Sequence, residues 1–102
     1  MNYNIPADTF QELTSFFQKF NVIEKVVVFG SRARGDHTPK SDIDIAIFSQ
    51  TMTKGTFKLL QLELSELPIL YHIDCVHFEK SAQALQNNIL AEGVTIFRKE
   101  AR

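Results

Sequence analysis

Cysteine is almost absent from this 102-residue chain. A single thiol, Cys75, excludes any internal disulfide and any cysteine-rich zinc module, and it fits a reducing compartment. An excess of charge of either sign is also missing: 11 Lys and Arg face 12 Asp and Glu, for a net charge of −1. That balance argues against a non-specific nucleic-acid binder and against a polybasic membrane anchor. No apolar run approaches the roughly 20 residues of a membrane span. The opening MNYNIPADTF has neither a basic start nor a continuous apolar stretch, so no signal peptide is expected. What is present is ordinary globular composition, 44% hydrophobic and 23% charged. The expectation is one domain over 1–102, able to bury a core without staples and located in the cytoplasm.

The hydrophobic pattern alternates helices and strands. Asp8 and Gln11 suit a capping box, and Phe10, Leu13, Phe17 and Phe20 recur at helical spacing, which predicts a helix over about 8–20. Val26-Val27-Val28-Phe29 reads as a strand buried on both faces, ending at Gly30-Ser31. After a polar segment from Arg32 to Lys40, residues 41–48 read as a second strand with Ile43, Ile45 and Ile47 on one face. Phe57, Leu60, Leu64 and Leu67 share a helical face that Pro68 closes. A third strand is expected over about 69–78, and a last helix capped by Ser81 and ended by Gly93. A short edge strand is expected over 94–97. This order implies an α/β (α+β) domain, a small mixed sheet with helices packed against it.

The chemistry concentrates in FGSRARGDHTPKSDIDIAIF, residues 29–48. Gly30 ends a buried strand where backbone N–H groups come free, and glycine lets a phosphate approach closely. Ser31 adds a hydroxyl, while Arg32 and Arg34 offer forked cationic donors that suit phosphate oxygens. A Walker A loop is excluded, because Asp36 follows Gly35 where the phosphate-reaching lysine would stand. Asp42 and Asp44 lie two apart on a strand, so both side chains leave one face, opposite the isoleucines. Two such carboxylates repel each other unless a divalent cation neutralises them or one stays protonated. Oxygen ligands of this kind suit Mg²⁺, which keeps several waters and completes its shell with substrate phosphates. A third acid, Asp74, sits inside the apolar run ILYHIDCVHF. Should that strand pair beside the one carrying Asp42 and Asp44, three carboxylates meet at one site, equipment for two ions and phosphoryl displacement.

These motifs resemble the nucleotidyltransferase superfamily related to DNA polymerase beta. The resemblance rests on Phe29-Gly30-Ser31, a ten-residue spacer, Asp42-Ile43-Asp44-Ile45, and the later acid in Ile73-Asp74-Cys75. GSRARG followed by SDIDI looks most like the short prokaryotic minimal nucleotidyltransferases. The resemblance implies the nucleotidyltransferase fold, with Asp42 and Asp44 on both Mg²⁺ ions and Asp74 on the catalytic one beside the attacking hydroxyl. It implies that Gly30 and Ser31 hold the outgoing phosphates as pyrophosphate leaves. Minimal enzymes of this type resemble the antitoxin halves of two-gene modules. The implied partner is a helical HEPN protein, whose tyrosine hydroxyl receives AMP from ATP and which is thereby silenced.

Two other functions compete: a stand-alone enzyme acting on a small hydroxylated molecule, and a catalytically idle binding subunit. Three clustered acids disfavour the idle subunit, and the short chain leaves little material to enclose a small acceptor. Individual residues also have plainer readings. Asp42 and Asp44 suit a turn, Asp74 suits an edge strand guarding against aggregation, and Arg32, Arg34 and Lys40 suit a solvated surface. Strand alternation puts His72 on the Asp74 face but Cys75 and His77 on the other, so those three do not meet on one ion. His72 reads as a strand-end histidine and Cys75 as a small buried apolar residue. Some of the nine phenylalanines are available for a subunit interface.

Overall fold

The computed structural model describes residues 4–99. Its elements are α1 (Ala7–Phe17), β1 (Lys25–Phe29), the single turn α2 (Ser31–Arg34), β2 (Ile43–Phe48), α3 (Lys54–Ser65), β3 (Ile73–His77), α4 (Gln83–Glu92) and β4 (Val94–Arg98). The strands form one sheet in the order β3-β2-β1-β4. β1 runs antiparallel to β2 and β4, whereas β2 and β3 are parallel, so the sheet is mixed as the pattern predicts. Residue alternation then assigns the faces. Val26, Val28, Ile43, Ile45, Ile47 and Cys75 join Leu13, Phe16 and Phe17 of α1 and Leu60 and Leu64 of α3 in the main core. Val27, Ala46 and Phe48 form a smaller core with Ile89 of α4 on the opposite face. Helices on both sides explain why Val26, Val27 and Val28 form an uninterrupted apolar run.

Several boundaries differ from the pattern for local reasons. α1 starts one residue before Asp8 because Pro6 occupies the cap position and its carbonyl accepts from the Phe10 N–H. Asp8 therefore lies inside the first turn, where its carboxylate accepts from the Thr9 N–H, and the capping box does not form. The third strand is shorter than expected, since β2 offers no partner before Ile43. Residues 69–72 instead leave Pro68 through a turn, and Ile69 and Tyr71 pack against the core. Ser81 is not the cap of α4. That position belongs to Ala82, and the Ser81 hydroxyl donates to the His77 carbonyl. Gly93 does end α4, because a side chain there would strike the Ile89 carbonyl and Val27. Among the described residues no helix is long and apolar enough to cross a membrane.

Candidate active site

The strand directions bring three chain segments to one edge of the sheet. Because β1 and β2 are antiparallel, the end of β1 meets the start of β2, and Phe29 pairs with Asp44. Because β2 and β3 are parallel, the start of β3 lies there too, and Asp44 stands directly beside Asp74. Neighbouring strands lie roughly 4.8 Å apart, so these two carboxylates leave the same face as cross-strand neighbours. Asp42 precedes β2 by one residue and shares that face by alternation. The Ile43 N–H donates to the His72 carbonyl at 3.0 Å, tying the two strand starts together. His72 Nδ1 then lies 3.4 Å from Asp42 Oδ2. His72 thus belongs to the rim of the site. His77 and Cys75 are buried on the other face, with His77 Nε2 2.8 Å from the Ser49 carbonyl.

Gly30 completes the edge. Its φ of +78° is a left-handed value that side-chain-bearing residues rarely adopt, and a Cβ there would stand 2.5 Å from Asp44 Oδ2. Glycine is required both by the backbone and by the carboxylate next to it. Ser31 follows as the first residue of α2, where a helix has no internal acceptor for its N–H groups. The Gly30 N–H, by contrast, is engaged: it donates to Glu92 Oε1 at 3.0 Å. The Gly30 amide is thus already paired, which corrects the expectation that it comes free for a phosphate. Glu92 had no signal in the sequence beyond its place before the helix-ending Gly93.

The two arginines separate. Arg34 is exposed and reaches Asp36 Oδ2 and Glu92 Oε1, each at 3.2 Å. Asp36 first, and Glu92 second, raise its pKa above the ordinary arginine value. Arg32 points the other way and is 3% exposed. Its Nη1 donates to the Asn4 carbonyl at 2.6 Å, its Nη2 to the Ser41 carbonyl at 3.0 Å, and its guanidinium lies 5.0 Å from the Tyr71 ring centre. This corrects the expectation that Arg32 stands beside a phosphate. A one-turn helix separates the directions of residues 32 and 34, which a loop reading of this segment does not reveal.

Electrostatics mark Asp44 as the strained member of the acidic group. Burial, then Asp74 and Asp42, push its pKa above the usual carboxylate value, with Arg34 and His72 partly opposing them. Among the described residues no three His, Cys, Asp or Glu side chains are gathered closely enough to enclose an ion as they stand. Mg²⁺ does not require such a cage, since it binds through one or two carboxylates and takes water and phosphate oxygens for the rest. An all-carboxylate donor set whose central member resists ionisation fits that ion. Beside Asp74 a cleft of about 360 Å³ opens between α3 and β3, lined by Gln61, Leu64, Tyr71 and His72 among others.

Residues 11–102 match the family described as Polymerase beta, Nucleotidyltransferase. The chain belongs to that family. Comparison with curated proteins gives no match. Among solved structures, the nucleotidyltransferase fold recurs in a toxin–antitoxin crystal structure with AMP-PNP, at 18% identity and a TM-score of 0.73, covering 89% of this chain and 74% of that one. It recurs in the toxin–antitoxin MntA-HepT, at 16% identity and a TM-score of 0.69, covering 92% and 74%. A third is a complex of tri-AMPylated Shewanella oneidensis HEPN toxin with MNT antitoxin, at 16% identity and a TM-score of 0.66, covering 88% and 70%. At these identities the likeness is one of fold.

Proposed function

We propose that this nucleotidyltransferase domain transfers AMP from ATP to a hydroxyl of a helical HEPN-type protein, acting in the cytoplasm as that protein's antitoxin. The observation that carries the reading is the register of Asp44 beside Asp74, with Gly30 set against the Asp44 carboxylate. It groups the acids and the glycine turn at one end of the sheet. Support for the donor and partner comes from the neighbours, one containing AMP-PNP and another an AMPylated HEPN toxin.

In this reading Asp42, Asp44 and Asp74 would hold Mg²⁺, which supplies charge neutralisation for the carboxylates and phosphates and polarises the transferred phosphoryl group. Ser31 binds the β- and γ-phosphates through its N–H and hydroxyl. These are the groups on which charge accumulates as the bond to the leaving pyrophosphate breaks. Gly30 contributes the close approach, and Arg34 a cation at the loop's outer side. Asp74, exposed near the start of β3 beside Asp44, is the carboxylate that would take the proton of an arriving acceptor hydroxyl. The new bond joins that oxygen to the α-phosphorus, and pyrophosphate departs. A protein acceptor supplies the orientation that a small catalytic core does not provide.

Intact-mass spectrometry of a copurifying HEPN-type protein, after incubation with this chain, ATP and Mg²⁺, tests the proposal. A gain of one or more AMP masses, absent with Asp42→Asn, is expected. An unchanged partner together with a modified small hydroxylated compound would favour the stand-alone enzyme. Suppression of toxicity by a variant lacking all three acids would favour the idle binding subunit.

A further inference from the structure

Glu92 lies outside every motif of the family-like pattern, yet it holds two parts of the phosphate loop at once. Its Oε1 accepts the Gly30 N–H at 3.0 Å and Arg34 Nη1 at 3.2 Å, and its Oε2 lies 3.4 Å from the same Arg34 nitrogen. The Gly30 carbonyl in turn accepts the Arg34 N–H at 3.1 Å. Both polar groups of Gly30 are thereby fixed, and with them the positive-φ conformation that sets the glycine against the Asp44 carboxylate. The reach of Glu92 is fixed from the other side. It is the last residue of α4, and the next residue, Gly93, sits so close to Val27 and Ile89 that no side chain fits. Val27 belongs to the strand that ends in the loop, so the helix end and the loop share one support.

A carboxylate beside a phosphate-binding loop is an unfavourable choice on charge alone. It is tolerable here because Arg34 neutralises it and because its acceptor atom faces the loop's backbone. We infer that Glu92 is a positioning residue: it sets the Gly30 peptide and the Arg34 guanidinium so that Ser31 meets the leaving phosphates. The inference rests on the transferase reading for its consequence, while its geometric core, the Gly30 to Glu92 bond, stands apart from it.

Three variants separate the possibilities. Glu92→Gln keeps an oxygen acceptor at the same reach, Glu92→Asp keeps the charge but withdraws it, and Glu92→Ala removes both. Misplacing a loop that acts on the leaving group lowers kcat, by roughly ten- to a hundredfold, more than it raises KM for ATP. The expected series is therefore near-normal kcat for Glu92→Gln and a loss for Glu92→Asp and Glu92→Ala, the aspartate serving where the alanine variant folds poorly. Amide hydrogen exchange on the full chain without nucleotide supplies the second readout: Gly30 should be protected in wild type and Glu92→Gln, and exposed in Glu92→Asp. Wild-type kcat in the aspartate variant, or Glu92→Gln as impaired as Glu92→Asp, would overturn the inference. So would Gly30 protection unchanged in Glu92→Asp. A wild-type chain that transfers nothing would count against the transferase reading, and the exchange measurement would still decide the role of Glu92.

Discussion

At the scale of single residues, the ionised Asp44 carboxylate is costly to the fold until something neutralises it. Asp44 binds its proton more tightly in the folded chain than in the unfolded one. The native state therefore carries more protons, and stability of the metal-free chain falls as pH rises from the usual carboxylate range through the raised value. Asp44→Asn removes that loss, so in the presence of a chelator its urea midpoint at neutral pH should exceed wild type, with the gap closing on acidification. A lower midpoint at neutral pH would show the carboxylate to be a stabilising partner instead. On the proposed function Ser31 would make the opposite kind of contribution, to the transition state rather than to the fold. Ser31→Ala should lower kcat roughly tenfold or more while changing ATP affinity less, as single-turnover and binding measurements would show. A normal transfer rate would reduce Ser31 to a turn residue. Burial, with a smaller effect of Asp74, pushes the Cys75 thiol up to about 12. A thiol reagent at pH 8 should therefore modify it only on unfolding, and prompt reaction with the native chain would contradict its placement in the core.

At the scale of elements, the one-turn helix α2 sends one arginine into the interior and leaves the other exposed. Arg32, buried among the Asn4 and Ser41 carbonyls and the Tyr71 ring, joins the start of the chain to the entry of β2. Its replacement by alanine strands two carbonyls and should destabilise the fold by about 2–4 kcal/mol in denaturant melts. Arg34→Ala should leave the melt close to wild type, and equal melts for the two variants would erase the distinction. These arginines also show what a linear pattern conceals. The strands were legible because β-branched runs and Asp-Ile-Asp-Ile alternation are local signals, and the Asp42–Asp44 face followed from them. That Asp74 lies beside Asp44 depended on a parallel pairing, which the sequence offered only as a condition. The opposite directions of Arg32 and Arg34, the engagement of the Gly30 amide by Glu92, and the His72 to Asp42 contact are all tertiary. No spacing rule connects residue 30 with residue 92, since that bond exists only because α4 packs across β1. Caps failed for a related reason: Asp8 and Ser81 have suitable side chains, but Pro6 and Ala82 occupy the positions where the helices begin.

At the scale of the whole molecule, one sheet separates two tasks. Its main-core face, under α1 and α3, is apolar from Val26 to Cys75 and supplies most of the burial. Its other face is divided, with Val27, Ala46 and Phe48 packed under α4 and Asp42, Asp44 and Asp74 left at the open edge. A net charge of −1 gives no general attraction for polyphosphates, so on the proposed function ATP binding would rest on this edge and on a cation that bridges acids to phosphate. Calorimetric titration of ATP into wild type and Asp44→Asn, each with Mg²⁺ and again with a chelator, measures that claim on the chain alone. The account predicts saturable binding for wild type with Mg²⁺, and its loss both on chelation and in Asp44→Asn. Equal binding by the two proteins, or wild-type binding that survives the chelator, would contradict it.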